Sequence, residues 1–171
     1  MAKYLIRDSI TGELEEEVGI ETSLGVPDAG KFPQTDATGR LTQSVMPIGI
    51  GADVNIADAF EALSAGDFVN IFNNSGAAGV RKADANSPGK KASGFVLQNY
   101  AAGTPATVYS EGTNTQLTGL TPGTNYFLSD TTPGGVTDTP IVGQGKIHQI
   151  IGRSVSDTAI NFEGSPVVKL K

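Results

Sequence analysis

Apolar and polar residues alternate along this chain in short runs cut by turn residues, a spacing that predicts strands rather than long helices. Tyr4 and Ile6 alternate with Lys3, Leu5 and Arg7, Asp8-Ser-Ile-Thr-Gly12 supplies a turn, and Leu14 to Val18 returns, so residues 3–18 read as a β-hairpin. From Asp67 onward strand signals recur roughly every 8–12 residues, the pattern of an all-β domain. They fall at 68–72, 79–83, 92–98, 106–109, 115–117, 126–129, 136–138, 147–154 and 159–162. In the longest of them Ile147, Gln149, Ile151 and Arg153 share one face, and His148, Ile150, Gly152 and Ser154 the other. Apolar residues on both faces predict a central or subunit-facing strand. Nine short strands predict a compact β-barrel or β-sandwich.

Turn chemistry is densest in Leu117-Thr-Gly-Leu-Thr-Pro-Gly-Thr-Asn-Tyr-Phe-Leu-Ser-Asp-Thr-Thr-Pro-Gly-Gly-Val-Thr137, which holds no Lys, Arg, His, Glu or Cys. Pro presets the first central position of each turn and Gly takes the next without a Cβ clash. Tyr126, Phe127 and Leu128 between the two Pro-Gly pairs are strand formers. Such a stretch builds a surface.

One segment carries a helical period. In Asn55-Ile-Ala-Asp-Ala-Phe-Glu-Ala-Leu63, Ile56, Phe60 and Leu63 stand at i, i+4 and i+7, with Asn55 placed to cap. This predicts one short helix plugging the end of a β structure, ended by Ala65-Gly66. Before it, residues 25–47 carry Pro27, Pro33 and Pro47 and turn dipeptides without sustained periodicity, as an extended connector does. A loop this long is uncommon inside a domain, so it is expected to lie against something, such as a neighbouring subunit. Three regions follow: an N-terminal hairpin arm (1–24), the connector (25–47) and a barrel or sandwich domain (48–171).

Composition narrows the classes. Cysteine is absent, which removes disulfides and thiolate metal sites. No apolar run approaches the roughly 18 residues of a membrane span, and charge arrives too early at the N-terminus for a signal peptide. The net charge of −6, without a basic stripe interleaved with aromatics, argues against nucleic acid as a partner. Local basic pairs, Arg81-Lys82 and Lys90-Lys91, flank a loop and read as solvated or as a contact for an acidic protein surface. Glu13, Glu15, Glu16 and Glu17 read as charge that keeps an exposed edge from pairing.

Candidate chemistry is sparse. His148 is the single histidine and sits mid-strand; Ser154 and Asp157 are near it in sequence, but strand geometry fixes no triad among them. Gly49-Ile-Gly51 and Gly143-Gln-Gly145 do not open a long helix after a strand, as a phosphate-cradling loop would. Asp130 and Asp138 bracket a turn without the alternating ligand spacing of a calcium loop. No catalytic, cofactor or metal residue is therefore assigned, and a non-enzymatic protein is expected.

Ala65-Gly-Asp-Phe-Val69, Val80-Arg-Lys-Ala-Asp-Ala85 and Ala92-Ser-Gly-Phe-Val96 resemble small structural proteins of tailed bacteriophages, among them capsid decoration (cement) proteins. Leu120 to Leu128, then Gln149 to Ile160, are similar to β-rich modules of phage head fibres, tail fibres and decoration proteins. Asp36 to Pro47 resembles a hinge of phage fibre proteins. The resemblance implies a virion structural protein, made in the host cytoplasm, that binds the outer capsid surface and stabilises or decorates the head. It further implies the major capsid protein as partner and a homo-oligomer, with a trimer favoured where three capsid subunits meet. Candidate subunit or capsid contacts are Tyr4, Ile6, Phe32, Leu41, Met46, Arg81 and Lys82. The alternative is a head-fibre or tail-fibre module that binds a host receptor through loops holding Asn73, Asn74, Asn99, Tyr100 and Tyr109.

Overall fold

Strands make up the architecture, as the alternation predicts. The computed structural model describes residues 3–7, 11–23, 26–37, 39–42, 45–46 and 53–171. It divides into two units, Met1–Gly51 and Ala52–Lys171. The only helical element among the described residues is a single 3-10 turn, Val26–Asp28.

In the first unit β1 (Lys3–Arg7) and β2 (Leu14–Val18) pair antiparallel, with Tyr4 opposite Glu17 and Leu5 opposite Glu16. The hairpin expected over 3–18 is thus present; residues 8–10 of its turn lie outside the described residues. A two-stranded hairpin alone is marginal in water, and here the following segment returns along it. Ile20 bridges Pro33, donating to the Phe32 carbonyl at 3.0 Å and accepting from Gln34 N at 2.8 Å. The Phe32 ring meets Tyr4 edge-on at 4.7 Å.

In the second unit β3 (Val54–Ala59), β4 (Phe68–Asn74), β5 (Ala77–Lys82), β6 (Gly94–Phe95) and β7 (Pro105–Tyr109) close a barrel in the order β3-β5-β4-β6-β7. Only β3 and β5 run parallel. Five strands enclose little volume, and the interior is filled by Ala57, Ala59, Leu63, Val69, Val80, Val96, Ala106 and Val108. The turn joining β4 to β5 puts Ser75 at φ 53° and Gly76 at φ 98°. Both central residues in the left-handed region match the twist that a tight hairpin needs.

A second sheet is built from β8 (Gly112–Asn114), β9 (Asn125–Leu128), β10 (Val136–Thr137), β12 (Ile150–Ser154) and β13 (Ile160–Phe162), ordered β10-β9-β12-β13-β8. β11 (Ile147–His148) pairs with β14 (Val168–Lys169). The second core contains Phe68, Phe95, Phe162, Leu128, Ile147, Ile151 and Ile160. Phe68 and Val69 are sequence neighbours but fill different cores, as do Phe95 and Val96. That is period-2 alternation used on both faces of one strand.

The structure corrects three local expectations. Residues 55–59 of the expected helix lie in the strand β3, because Ala57 and Ala59, not Ile56 and Phe60, point into the barrel. Pairing with β7 over five residues overrides the local helical period. The strand expected at 115–117 lies instead at Gly112–Asn114. The strand at 147–154 is interrupted at Gln149 and bulged between Ile150 and Gly152, so Ile151 and Ser154 are both buried while Arg153 is exposed. One extra residue reverses the facing of everything after it.

Candidate functional site

Apolar side chains left in solvent are the feature that the packing does not consume. In the hairpin unit the two faces differ. Tyr4 and Ile6 are half-buried; the Tyr4 hydroxyl accepts from Phe32 N at 3.1 Å and donates to a Glu17 carboxylate oxygen at 3.2 Å. The opposite face carries Leu5, Leu14 and Val18, which remain 66%, 65% and 39% exposed. Lys3, Arg7 and Glu16 stand among them, Lys3 pairing with Glu16. Strand alternation makes this split, since odd positions of β1 align with even positions of β2.

The remaining contact candidates are separated. Phe32 and Leu41 are exposed, and Met46 is half-buried, lining with Ile20, Pro33 and Val45 a shallow 330 Å³ recess. Lys31, on that recess, pairs with Asp28 at 3.0 Å, and this hydrogen bond raises the lysine pKa above its ordinary value. In the second unit Arg81 and Lys82 adjoin on β5 but are used differently. Arg81 lies over the Phe72 ring at 4.3 Å, with Nε on Asn70 Oδ1 at 3.0 Å and Nη2 on the Gly89 carbonyl at 3.1 Å. Lys82 pairs with Asp67 at 3.2 Å. Phe60, 63% exposed, meets Phe72 edge-on at 5.5 Å.

The residues considered for chemistry are placed apart. The His148 ring packs on Phe127 at 4.9 Å. The Ser154 hydroxyl donates to the Thr121 carbonyl and accepts from Thr124 N at 3.3 Å. Among the described residues neither Ser154 nor Asp157 hydrogen-bonds His148, and no group of three His, Asp or Glu is placed to hold a metal ion. Asp130 pairs with Lys146 at 2.6 Å, and that hydrogen bond lowers its pKa below the ordinary carboxylate value. Gly49 to Gly51 fall outside the described residues, and Gly143 to Gly145 turn into the two-residue strand β11.

Of the receptor-loop candidates, Asn73 accepts from Gly76 N at 2.7 Å and Asn99 from Ala65 N at 2.8 Å, so each carbonyl stabilises a loop. Tyr109 stacks on Phe95 at 5.5 Å, and Tyr100 packs on the barrel interior. A second exposed surface escaped sequence reading. On the five-stranded sheet Ile150 and Val155 are 45% and 61% exposed beside a 340 Å³ groove. The bulge puts Ile150, Arg153 and Val155 on one surface, and no sequence signal marks it. The fold defines a mainly β protein with a closed five-stranded barrel joined to a five-stranded sheet. Neither protein families, curated proteins nor solved structures give a match to this chain.

Proposed function

We propose that this chain is a non-enzymatic structural protein of a tailed-bacteriophage particle, which binds the major capsid protein on the outer capsid surface and decorates or stabilises the head. The observation that carries the reading is the bare face of the hairpin unit. Leu5, Leu14 and Val18 together leave an apolar surface that a partner would cover. Lys3, Arg7 and Glu16 around it would give the polar rim that fixes orientation. Under this reading the docking face is opposite the one carrying Tyr4 and Ile6, where Tyr4 holds the hairpin against Phe32. The second unit would then be the displayed β domain. Repetition over a symmetric shell makes modest individual contacts durable.

The test is co-sedimentation with capsids of the phage that encodes the chain. A Leu5→Glu, Leu14→Glu double variant should retain the far-UV circular dichroism of the parent and lose capsid binding. Undiminished binding by that variant, or a copy number per particle far below that of the capsid subunits, would overturn the proposal.

A further inference from the structure

One corner of the barrel gathers cations and leaves them without counter-charge. Arg81 on β5 stands opposite Asn70 on β4, and Asn70 is only 3% exposed. The Asn70 amide accepts from Arg81 Nε and donates to the Lys91 carbonyl at 2.9 Å, while Arg81 Nη2 donates to the Gly89 carbonyl. One buried amide and one guanidinium thus fix the backbone that carries Lys90 and Lys91 beside Arg81. The guanidinium also lies over Phe72, which meets the exposed Phe60. Among the described residues Arg81, Lys90 and Lys91 are in no ion pair. Of the carboxylates around them, Asp67 pairs with Lys82, Glu61 accepts from Lys82 N, and Asp84 accepts from Asn86 N. Asp58, opposite Gly79, is one unpaired anion against three cations.

The opposite charge is concentrated in the other unit. Met1–Gly51 holds four Lys and Arg against eight Asp and Glu. On β2, Glu15 stands opposite Ile6, so this carboxylate and a half-buried apolar side chain share one face. Glu13 lies two residues before it, and neither glutamate is in an ion pair among the described residues. This is the face opposite Leu5, Leu14 and Val18.

We infer that the corner at Arg81, Lys90 and Lys91 receives the acidic β2 face of a second copy of the chain. Charge complementarity names the occupant: three unpaired cations on one unit, and unpaired glutamates on the acid-rich other unit. Each side also brings an apolar component, Phe60 and Phe72 on the barrel and Ile6 on the hairpin. Because the two patches differ, the contact is heterologous and passes from copy to copy. It leaves Leu5, Leu14 and Val18 uncovered, so this inference and the capsid proposal can each fail without the other.

Sedimentation velocity of the full chain, over series of protein and salt concentration, is the test. The parent should exceed one chain mass at high protein concentration and return to it as sodium chloride is raised, because exposed charges are screened. The double variants K90E/K91E and E13K/E15K should each weaken the association by about tenfold or more. A chain with all four substitutions should regain the parent's association, since a basic hairpin face then meets an acidic corner. K169E, which reverses an exposed lysine on β14, should associate like the parent. A parent that stays monomeric, an association that salt or either double variant leaves unmoved, a fourfold variant that does not recover it, or a K169E variant as weak as K90E/K91E would overturn the inference.

Discussion

The Gln149 side chain pairs with the backbone of Ala92 from both ends: Ala92 N donates to Oε1 at 2.8 Å, and Nε2 donates to the Ala92 carbonyl at 2.9 Å. Fifty-seven residues separate them in sequence, and both are buried. A side-chain amide here does what a neighbouring strand would do, satisfying a donor and an acceptor in a place where no ladder reaches. It ties the segment between β11 and β12 to the segment leading into β6, and so links the second sheet to the barrel. The strand is interrupted at Gln149, where pairing changes from β14 to β9.

Replacing Gln149 with Leu should therefore cost about 2–4 kcal/mol, because two buried backbone groups lose their partner at once. The expected readout is a lower midpoint in urea unfolding with an unchanged slope. A loss below about 0.5 kcal/mol would mean that water or a local shift replaces both bonds.

Gly152 is held at φ 153°, and a Cβ built there would run into the carbonyl oxygen of Asn161 on β13. The backbone atom cannot move without breaking the β12–β13 pairing. Gly152→Ala should thus destabilise by more than about 2 kcal/mol, well above the usual glycine-to-alanine effect. Thermal unfolding checks it, and a variant as stable as the parent would show that the bulge relaxes freely.

The parts legible in the sequence are those where residue size and alternation act together. The hairpin at 3–18 and the strands around Phe68, Val80, Val108, Phe127 and Ile160 all come from large apolar residues at period 2 with Gly or Pro between them. β3 was illegible because the residues it buries are Ala57 and Ala59, which carry little hydrophobic signal, while Ile56 and Phe60 lie in solvent. The bulge at Ile150 and Gly152 depends on pairing with β9, which lies far off in sequence. On the surface, Tyr4 and Phe32, each expected to meet a neighbouring subunit or the capsid, pack against each other. The exposed face at Leu5 and Leu14 follows only once the return of the chain onto the Tyr4 face is known.

The barrel interior sets a further expectation. Ala57 and Ala106 stand opposite each other on β3 and β7, both turned inward among Val80, Val96 and Val108. There is no room for a branched side chain, so Ala106→Leu should destabilise by about 1–3 kcal/mol through overpacking. Ala101→Leu, in an exposed turn, should change stability by less than about 0.5 kcal/mol. Equal effects of the two in denaturant titrations would contradict the packing described.

The partly buried pair of Asp130 and Lys146 predicts a pH dependence whose sign follows from the lowered pKa of Asp130. The folded protein holds this carboxyl below its unfolded value, so folding favours the ionised form. The stabilisation is fully present above the ordinary Asp range near pH 4 and is lost as pH falls through the folded value. Lys146→Ala should then cost about 0.5–1 kcal/mol at neutral pH, the scale of a partly exposed ion pair. In strong acid the variant and the parent should converge, because Asp130 is protonated in both. Melting curves across that range measure the difference. A gap that stays constant into acid would assign the effect to packing of the lysine stem and not to its charge.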